Sequence, residues 1–89
     1  MPSISRFYGI IIWMHFFDDG KRHLPHFHAQ YNERGAVISI KDGAVLSGSL
    51  PPPQMKMVQE WTKVRRAELA QVWDDLTKGK ESGRIPPLK

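Results

Sequence analysis

Three consecutive prolines, Pro51 to Pro53, divide this chain into two parts with different hydrophobic periodicity. Before them, short β-branched and aromatic runs are separated by turn-forming residues, which is typical of strands. After them, apolar residues recur every three or four positions, which is typical of an amphipathic helix. Proline is tolerated in the first turn of a helix but not in its interior, so the change of structure is expected here. The sequence predicts an α+β fold: a four-stranded antiparallel meander sheet followed by one long C-terminal helix packed on it.

The predicted sheet covers about residues 4–50. Its first strand is an apolar run with two apolar faces, and its second strand begins at Pro25 and has alternating faces. The third and fourth strands are joined by Asp42-Gly43, a strong signal for a two-residue hairpin turn. The predicted strands are residues 6–17, 25–31, 36–40 and 44–47. Because the connections between them are short, neighbouring strands are expected to be antiparallel.

The predicted helix covers about residues 53–78, and a polar tail follows at residues 79–89. One face of the helix carries an apolar stripe that would pack on the sheet. In the tail, Ile85 and Leu88 are expected to dock on the body of the protein. A chain of 89 residues is long enough for one compact domain, so residues 1–89 are interpreted as a single domain.

Composition narrows the classes of function. The absence of cysteine excludes disulfides, thiolate metal ligands and a catalytic cysteine. A formal net charge of +4 is compatible with an anionic partner such as RNA, although a solubilising surface charge accounts for it equally well. The apolar run near the N-terminus is too short to cross a bilayer, and no export cleavage site follows it. We therefore expect a cytoplasmic protein with no membrane partner.

All four histidines lie between residues 15 and 28, and this clustering predicts a site. His26 and His28 are two residues apart, so a strand would place both imidazoles on one face, roughly 7 Å apart at a rise of about 3.3 Å per residue. His15 on a neighbouring strand would add a third imidazole. Asp18 would add a carboxylate from the turn. Histidine is both the side chain that titrates near neutral pH and the commonest metal ligand.

Three roles fit these residues, and the sequence leaves them open. The first is acid/base catalysis on a phosphodiester by His26 and His28. The second is phosphate recognition by partly protonated imidazoles. The third is a divalent metal site formed by His26, His28, His15 and Asp18, because two or three histidines with a carboxylate suit zinc or iron. A structural alternative is that the imidazoles only pack against the next strand.

Arg65 falls within the apolar stripe of the helix, between Trp61 and Leu69. A buried guanidinium needs a partner, and Glu68 is available at i,i+3 spacing. Alternatively, Arg65 reaches an anionic ligand, which its planar fork suits. Arg65 and Lys41 are therefore interpreted as candidate phosphate contacts.

Four segments of the chain carry a resemblance to a known family. They are residues 1–10, Pro25-His26-Phe27-His28-Ala29, residues 36–43 and residues 48–51. Together with Trp61 and Trp73, they resemble the bacterial domain-of-unknown-function family 4160. The chain departs from the family pattern before Pro25, where members of the family have a shorter loop. His23 is therefore interpreted as a residue specific to this chain and not as part of the family's site.

The resemblance implies a small cytoplasmic bacterial protein that forms one half of a toxin–antitoxin pair, with a cognate small protein encoded nearby as its partner. The leading hypothesis is therefore a toxin-like module that binds RNA and cleaves it through His26 and His28. The alternatives are a non-enzymatic module that binds a protein or a nucleic acid, and a histidine-based metal-binding protein. No cofactor is expected, except a divalent metal under the last alternative. Whether the protein is an enzyme, and whether it forms a homodimer, the sequence leaves open.

Overall fold

A computed structural model of the chain describes residues 3–14, 25–80 and 83–88. It has an α+β fold, which confirms the predicted class. The sheet is antiparallel throughout, and its five strands lie in sequence order. The elements in chain order are β1 (Ser5–Phe7), β2 (Ile10–Trp13), β3 (His26–Tyr31), β4 (Arg34–Ser39), β5 (Val45–Gly48), α1 (Pro52–Val64) and α2 (Arg66–Thr77).

The first predicted strand is in fact two strands, so the prediction of four strands is wrong. Tyr8 and Gly9 form a two-residue turn between β1 and β2, with φ angles of 48° and 78°. Two positive φ angles define a type I′ turn, which matches the twist of a hairpin. β1 and β2 then pair in register, with Phe7 opposite Ile10. The end of the predicted strand, residues 15–17, lies outside the described residues.

The remaining strands follow the predicted meander with small changes in their ends. β3 and β4 are joined by Asn32 and Glu33 alone. The β4–β5 loop contains five residues, Ile40 to Ala44, rather than the predicted two. In this loop the N–H of Gly43 donates to the carbonyl oxygen of Ser39 over 2.9 Å. The loop is longer because the chain makes a full helical turn before Gly43, at a φ of 73°, returns it to the sheet.

The predicted single helix is broken at Arg65, so this prediction is also wrong. Arg65 has φ −106° and ψ 21°, outside the helical region, and separates α1 from α2. Helical hydrogen bonds persist on both sides of the break. The N–H of Arg65 donates to the carbonyl oxygen of Trp61, and the N–H of Leu69 donates to the carbonyl oxygen of Arg65. The break falls at the charged residue of the apolar stripe, where a straight helix would bury a guanidinium.

The core lies between one face of the sheet and the helices. Trp61 of α1 is fully buried and contacts Phe7 and Phe27, at ring-centroid distances of 5.3 and 5.7 Å. The C-terminal segment crosses this region, as predicted: Ile85 is buried and Leu88 packs partly against the core. The sheet and the helices therefore share a single core, to which the tail contributes.

Candidate functional site

The two faces of the sheet differ in burial because side chains alternate along each strand. The core face, represented by Ile12, Phe27 and Ile38, is fully buried. The opposite face, here called the outer face, consists of exposed or half-buried side chains in paired positions on four strands. Its residues are Arg6, Ile11, Trp13, His28, Gln30 and Val37.

The two histidines of β3 lie together, as their spacing indicates. The ring centroids of His26 and His28 are 5.7 Å apart, with the rings nearly perpendicular. Their surroundings differ. His26 is only 2% exposed, lies opposite Ser39, and its ring is 5.1 Å from the indole of Trp73 on α2. His26 is therefore an interior residue at the end of the sheet, whereas half-buried His28 belongs to the outer face.

His28 and Trp13 form a parallel stack on the outer face. Their ring centroids are 5.2 Å apart and their planes differ by 10°. They occupy directly opposite positions on β2 and β3, and Val37 lies opposite His28 on β4. The indole thus lies parallel to the imidazole across the pair of strands β2 and β3.

A groove of about 340 Å³ lies next to this stack. Trp13 forms one wall, Ile11 lies beside it, and exposed Arg6 supplies a positive charge from β1. Gln30 lies opposite Ile11 on β3, and its side-chain nitrogen donates to the carbonyl oxygen of Asn32 over 3.2 Å. The lining residues are Ser3, Arg6, Ile11, Trp13 and Gln30. The groove thus offers an aromatic surface, a cation and hydrogen-bonding groups to one ligand.

The other candidate residues lie apart from this groove. The guanidinium of Arg65 donates to the carboxylate of Glu68 over 3.1 Å, which confirms the ion pair that their spacing indicates. Arg65 also lines a separate cavity beside Trp61 and Leu88. Lys41 is exposed in the β4–β5 loop. The roles of Arg65 and Lys41 as phosphate contacts remain predictions.

The metal hypothesis rests partly on residues outside the described ranges, namely His15 and Asp18; His23 also lies there. Within residues 3–14, 25–80 and 83–88, no three His, Asp or Glu side chains are grouped so that they could hold a metal ion. The complete set of His26, His28, His15 and Asp18 remains a prediction.

Sequence reasoning missed Arg6 and Ser3 as site residues. The missed signal was Gly9, because a glycine inside an apolar run indicates a turn or a close backbone approach. Once the turn is placed at Tyr8-Gly9, β1 folds back on β2 and Arg6 falls opposite Ile11. Alternation along β2 then places Arg6 on the same face as Trp13.

The described helices include none with the length and apolar character needed to span a membrane. The fold and the groove define a small α+β domain with one exposed sheet face. Residues 9–74 match the family described as Domain of unknown function (DUF4160), and this match covers most of the chain. The chain belongs to this family. Comparisons with curated proteins and with solved structures gave no match.

Proposed function

We propose that this protein binds single-stranded RNA on the outer face of its sheet. The observation that carries the proposal is the parallel stack of Trp13 and His28 beside the groove that contains Arg6. Single-stranded RNA presents unstacked bases, and proteins commonly recognise them by stacking on aromatic side chains exposed on a sheet. The net charge of +4 is compatible with an anionic ligand of this kind.

Each part of the groove has a counterpart in a nucleotide. The indole of Trp13 offers a π-face to a base, and base–aromatic stacking contributes about 1–3 kcal/mol per base. The guanidinium of Arg6 suits a phosphate, which it can bind with two parallel hydrogen bonds. Gln30 and Ser3 offer donors and acceptors to a base edge or to a ribose hydroxyl. A protein partner would use the apolar residues of this face but would have less need of Arg6.

The burial of His26 favours binding over cleavage. Cleavage of a phosphodiester by two imidazoles requires that both reach the reacting group within hydrogen-bond distance or through one water. His28 is accessible from the outer face, but His26 is 2% exposed and covered by Trp73. We therefore assign His28 to orienting the indole of Trp13 beside the ligand, and His26 to supporting the ring of His28. Acid/base catalysis by the pair remains a prediction.

We also propose the biological setting that the family resemblance implies, a toxin-like component of a toxin–antitoxin pair. Its partner would be a cognate small protein encoded nearby. Expression of the wild-type chain without that partner should then arrest growth, and expression of Trp13→Ala should not. Arrest of equal strength by both chains would contradict a role for the outer face in toxicity.

Fluorescence anisotropy with labelled RNA tests the binding proposal. The probe is a single strand of about 12 nucleotides, within the range of roughly 4–16 nucleotides known for single-strand-binding domains. Trp13→Ala should weaken binding about tenfold or more, because it removes a stacking platform. A matched control is Tyr8→Ala, which removes an aromatic residue that is 57% exposed at the β1–β2 turn.

Three results would contradict the proposal. The wild-type protein could fail to bind the single strand at low salt. It could bind the same sequence equally well as a duplex, in which the bases are not available for stacking. Finally, Trp13→Ala and Tyr8→Ala could weaken binding to the same extent. Thermal unfolding of each variant shows whether a loss of binding results from a loss of the fold.

A further inference from the structure

A second group of positive side chains lies in a cleft of about 400 Å³ between the β4–β5 loop and the helices. α1 supplies Lys56 and Lys63, and Arg66 is the first residue of α2. The loop contributes Asp42 and Gly43 to the opposite wall. The remaining lining residues are Gln59, Glu60 and Thr62. The cleft thus brings together three cations and two carboxylates.

The three cations of this cleft are not neutralised by ion pairs among the described residues. Elsewhere on the helices such pairs do form, between Arg65 and Glu68 and between Lys78 and Asp74. Asp42 is engaged within its own loop, where its Oδ1 accepts the N–H of Ala44 over 3.0 Å. This hydrogen bond is the main cause that lowers the pKa of Asp42 below its ordinary value. The lysines are therefore available to an external anion.

The walls of the cleft are held together by a side-chain hydrogen bond. The Nε2 of Gln59 on α1 donates to the carbonyl oxygen of Gly43 over 3.1 Å. This bond joins the β4–β5 loop to the helix, so the two walls of the cleft are linked to each other directly. A preformed site loses less entropy when it binds, which favours recognition of an ion.

The loop that forms one wall of the cleft directly follows β4, the strand that carries Val37 of the outer face. Ser39, the last residue of β4, lies opposite His26. The N–H of the next residue, Ile40, donates to the carbonyl oxygen of Pro25 over 3.1 Å. The chain then passes through exposed Lys41 to Asp42 at the cleft wall. Exposed Lys41 therefore lies, along the chain, between the strand that carries Val37 of the outer face and the wall of the cleft.

We propose that the cleft binds phosphate groups of the RNA strand whose bases stack on the outer face, with Lys41 between the two sites. This inference rests on the proposed function. Phosphate is the anion that recurs along such a strand. A spaced set of lysines and an arginine suits a flexible backbone, because it gives affinity without sequence preference. The bases would be read at Trp13 and the backbone would be held at the cleft.

Two double variants with equal loss of charge test this inference. Lys56→Gln/Lys63→Gln removes cations from the cleft, and Lys78→Gln/Lys80→Gln removes exposed cations at the end of α2. Affinity is measured as a function of salt for strands of about 4 and about 12 nucleotides. The measured quantity is the slope of the logarithm of affinity against the logarithm of salt concentration. With the longer strand, the first variant should reduce the magnitude of this slope by about 1.4, since each phosphate contact on a single strand contributes about 0.7. The second variant should leave the slope unchanged, and the short strand should bind equally to all three proteins.

Glu60→Gln provides an independent test with the opposite sign. Removal of this carboxylate should tighten binding of the longer strand about two- to fivefold, because it removes a repulsion within the cleft. The inference is overturned if Glu60→Gln has no effect, if the two double variants are equivalent, or if strand length does not matter to the wild type. These failures leave the outer-face proposal intact. If the wild-type protein binds neither strand, the proposed function itself is wrong.

Discussion

Trp61 donates its indole N–H to the carbonyl oxygen of Pro86 over 2.9 Å, which ties the centre of the core to the C-terminal segment. One residue earlier, the N–H of Ile85 donates to the carbonyl oxygen of Ile4 beside β1. The segment is therefore bonded both to the residue that precedes β1 and to the indole. Trp61 is fully buried and bonded to this segment, so it is expected to contribute strongly to the stability of the fold.

Trp61→Phe should lower the free energy of unfolding by about 2 kcal/mol or more. The change removes a hydrogen bond worth about 1 kcal/mol and leaves a cavity among fully buried neighbours. Denaturation by urea measures the change. Val64→Ala on the same helix is the control, because Val64 is 68% exposed and its loss should cost less than about 0.5 kcal/mol. Equal costs for the two variants would show that the indole is not central to the core.

Tyr8→Asn should raise the free energy of unfolding by about 0.5 kcal/mol. Tyr8 has a φ of 48°, and left-handed backbone costs most side chains about 1–2 kcal/mol but is well tolerated by asparagine. The lost contact is an edge-to-face arrangement with Phe7 at 6.5 Å, worth about 0.5 kcal/mol. Chemical denaturation decides between the two effects, and a less stable variant would mean that the contact with Phe7 is the larger one.

The same turn shows why the sequence predicted one strand too few. Apolar side chains run without interruption from Phe7 to Trp13 except at Gly9, and tyrosine is not a residue that indicates a turn. The break between the helices was missed for a similar reason, since the residues around Arg65 include neither glycine nor proline, the usual sources of a kink. The β1–β2 turn is thus marked in the sequence by Gly9 alone, whereas the break at Arg65 has no such local mark.

The candidate site was predictable only in part. A period of two residues was enough to predict that the rings of His26 and His28 lie close together. The burial of His26 was not predictable, because Trp73, which covers it, belongs to an element far along the chain. The groove depends on the pairing of β1 with β2, which no pattern within one strand encodes.

Gly48→Ala should lower the free energy of unfolding by at least about 2 kcal/mol, since left-handed strain adds to a direct collision. Gly48 has a φ of 75°, and a Cβ at this position would overlap the carbonyl oxygen of Gly35 on β4. Gly43→Ala is the matched control, because Gly43 has a φ of 73° but no atom within 4 Å of such a Cβ. The control should cost only about 1–2 kcal/mol from backbone strain. If the two variants unfold at the same urea concentration, the approach of β5 to β4 is looser than this geometry indicates.

Asp42→Asn should make stability less sensitive to acid. The hydrogen bond from Ala44 keeps the pKa of Asp42 below its ordinary value of 3.8, so the folded state holds fewer protons than the unfolded state in this range. Its contribution is therefore complete above the ordinary pKa and is lost as the pH falls through the lower, folded pKa. Asparagine keeps the acceptor oxygen but cannot titrate. Urea midpoints from about pH 5 to pH 2 should thus fall less in the variant than in the wild type, and parallel curves would contradict the prediction.

His28→Phe separates stacking from proton chemistry on the outer face. Phenylalanine keeps a flat ring beside Trp13 but cannot hold or transfer a proton, whereas His28→Ala removes both properties. If His28 serves to orient the indole, RNA affinity should remain within about threefold of wild type in His28→Phe and fall about tenfold in His28→Ala. Equal losses in the two variants would instead assign His28 to phosphate contact or acid/base catalysis. Incubation of the wild type with labelled RNA then distinguishes these two, because only catalysis produces shorter fragments.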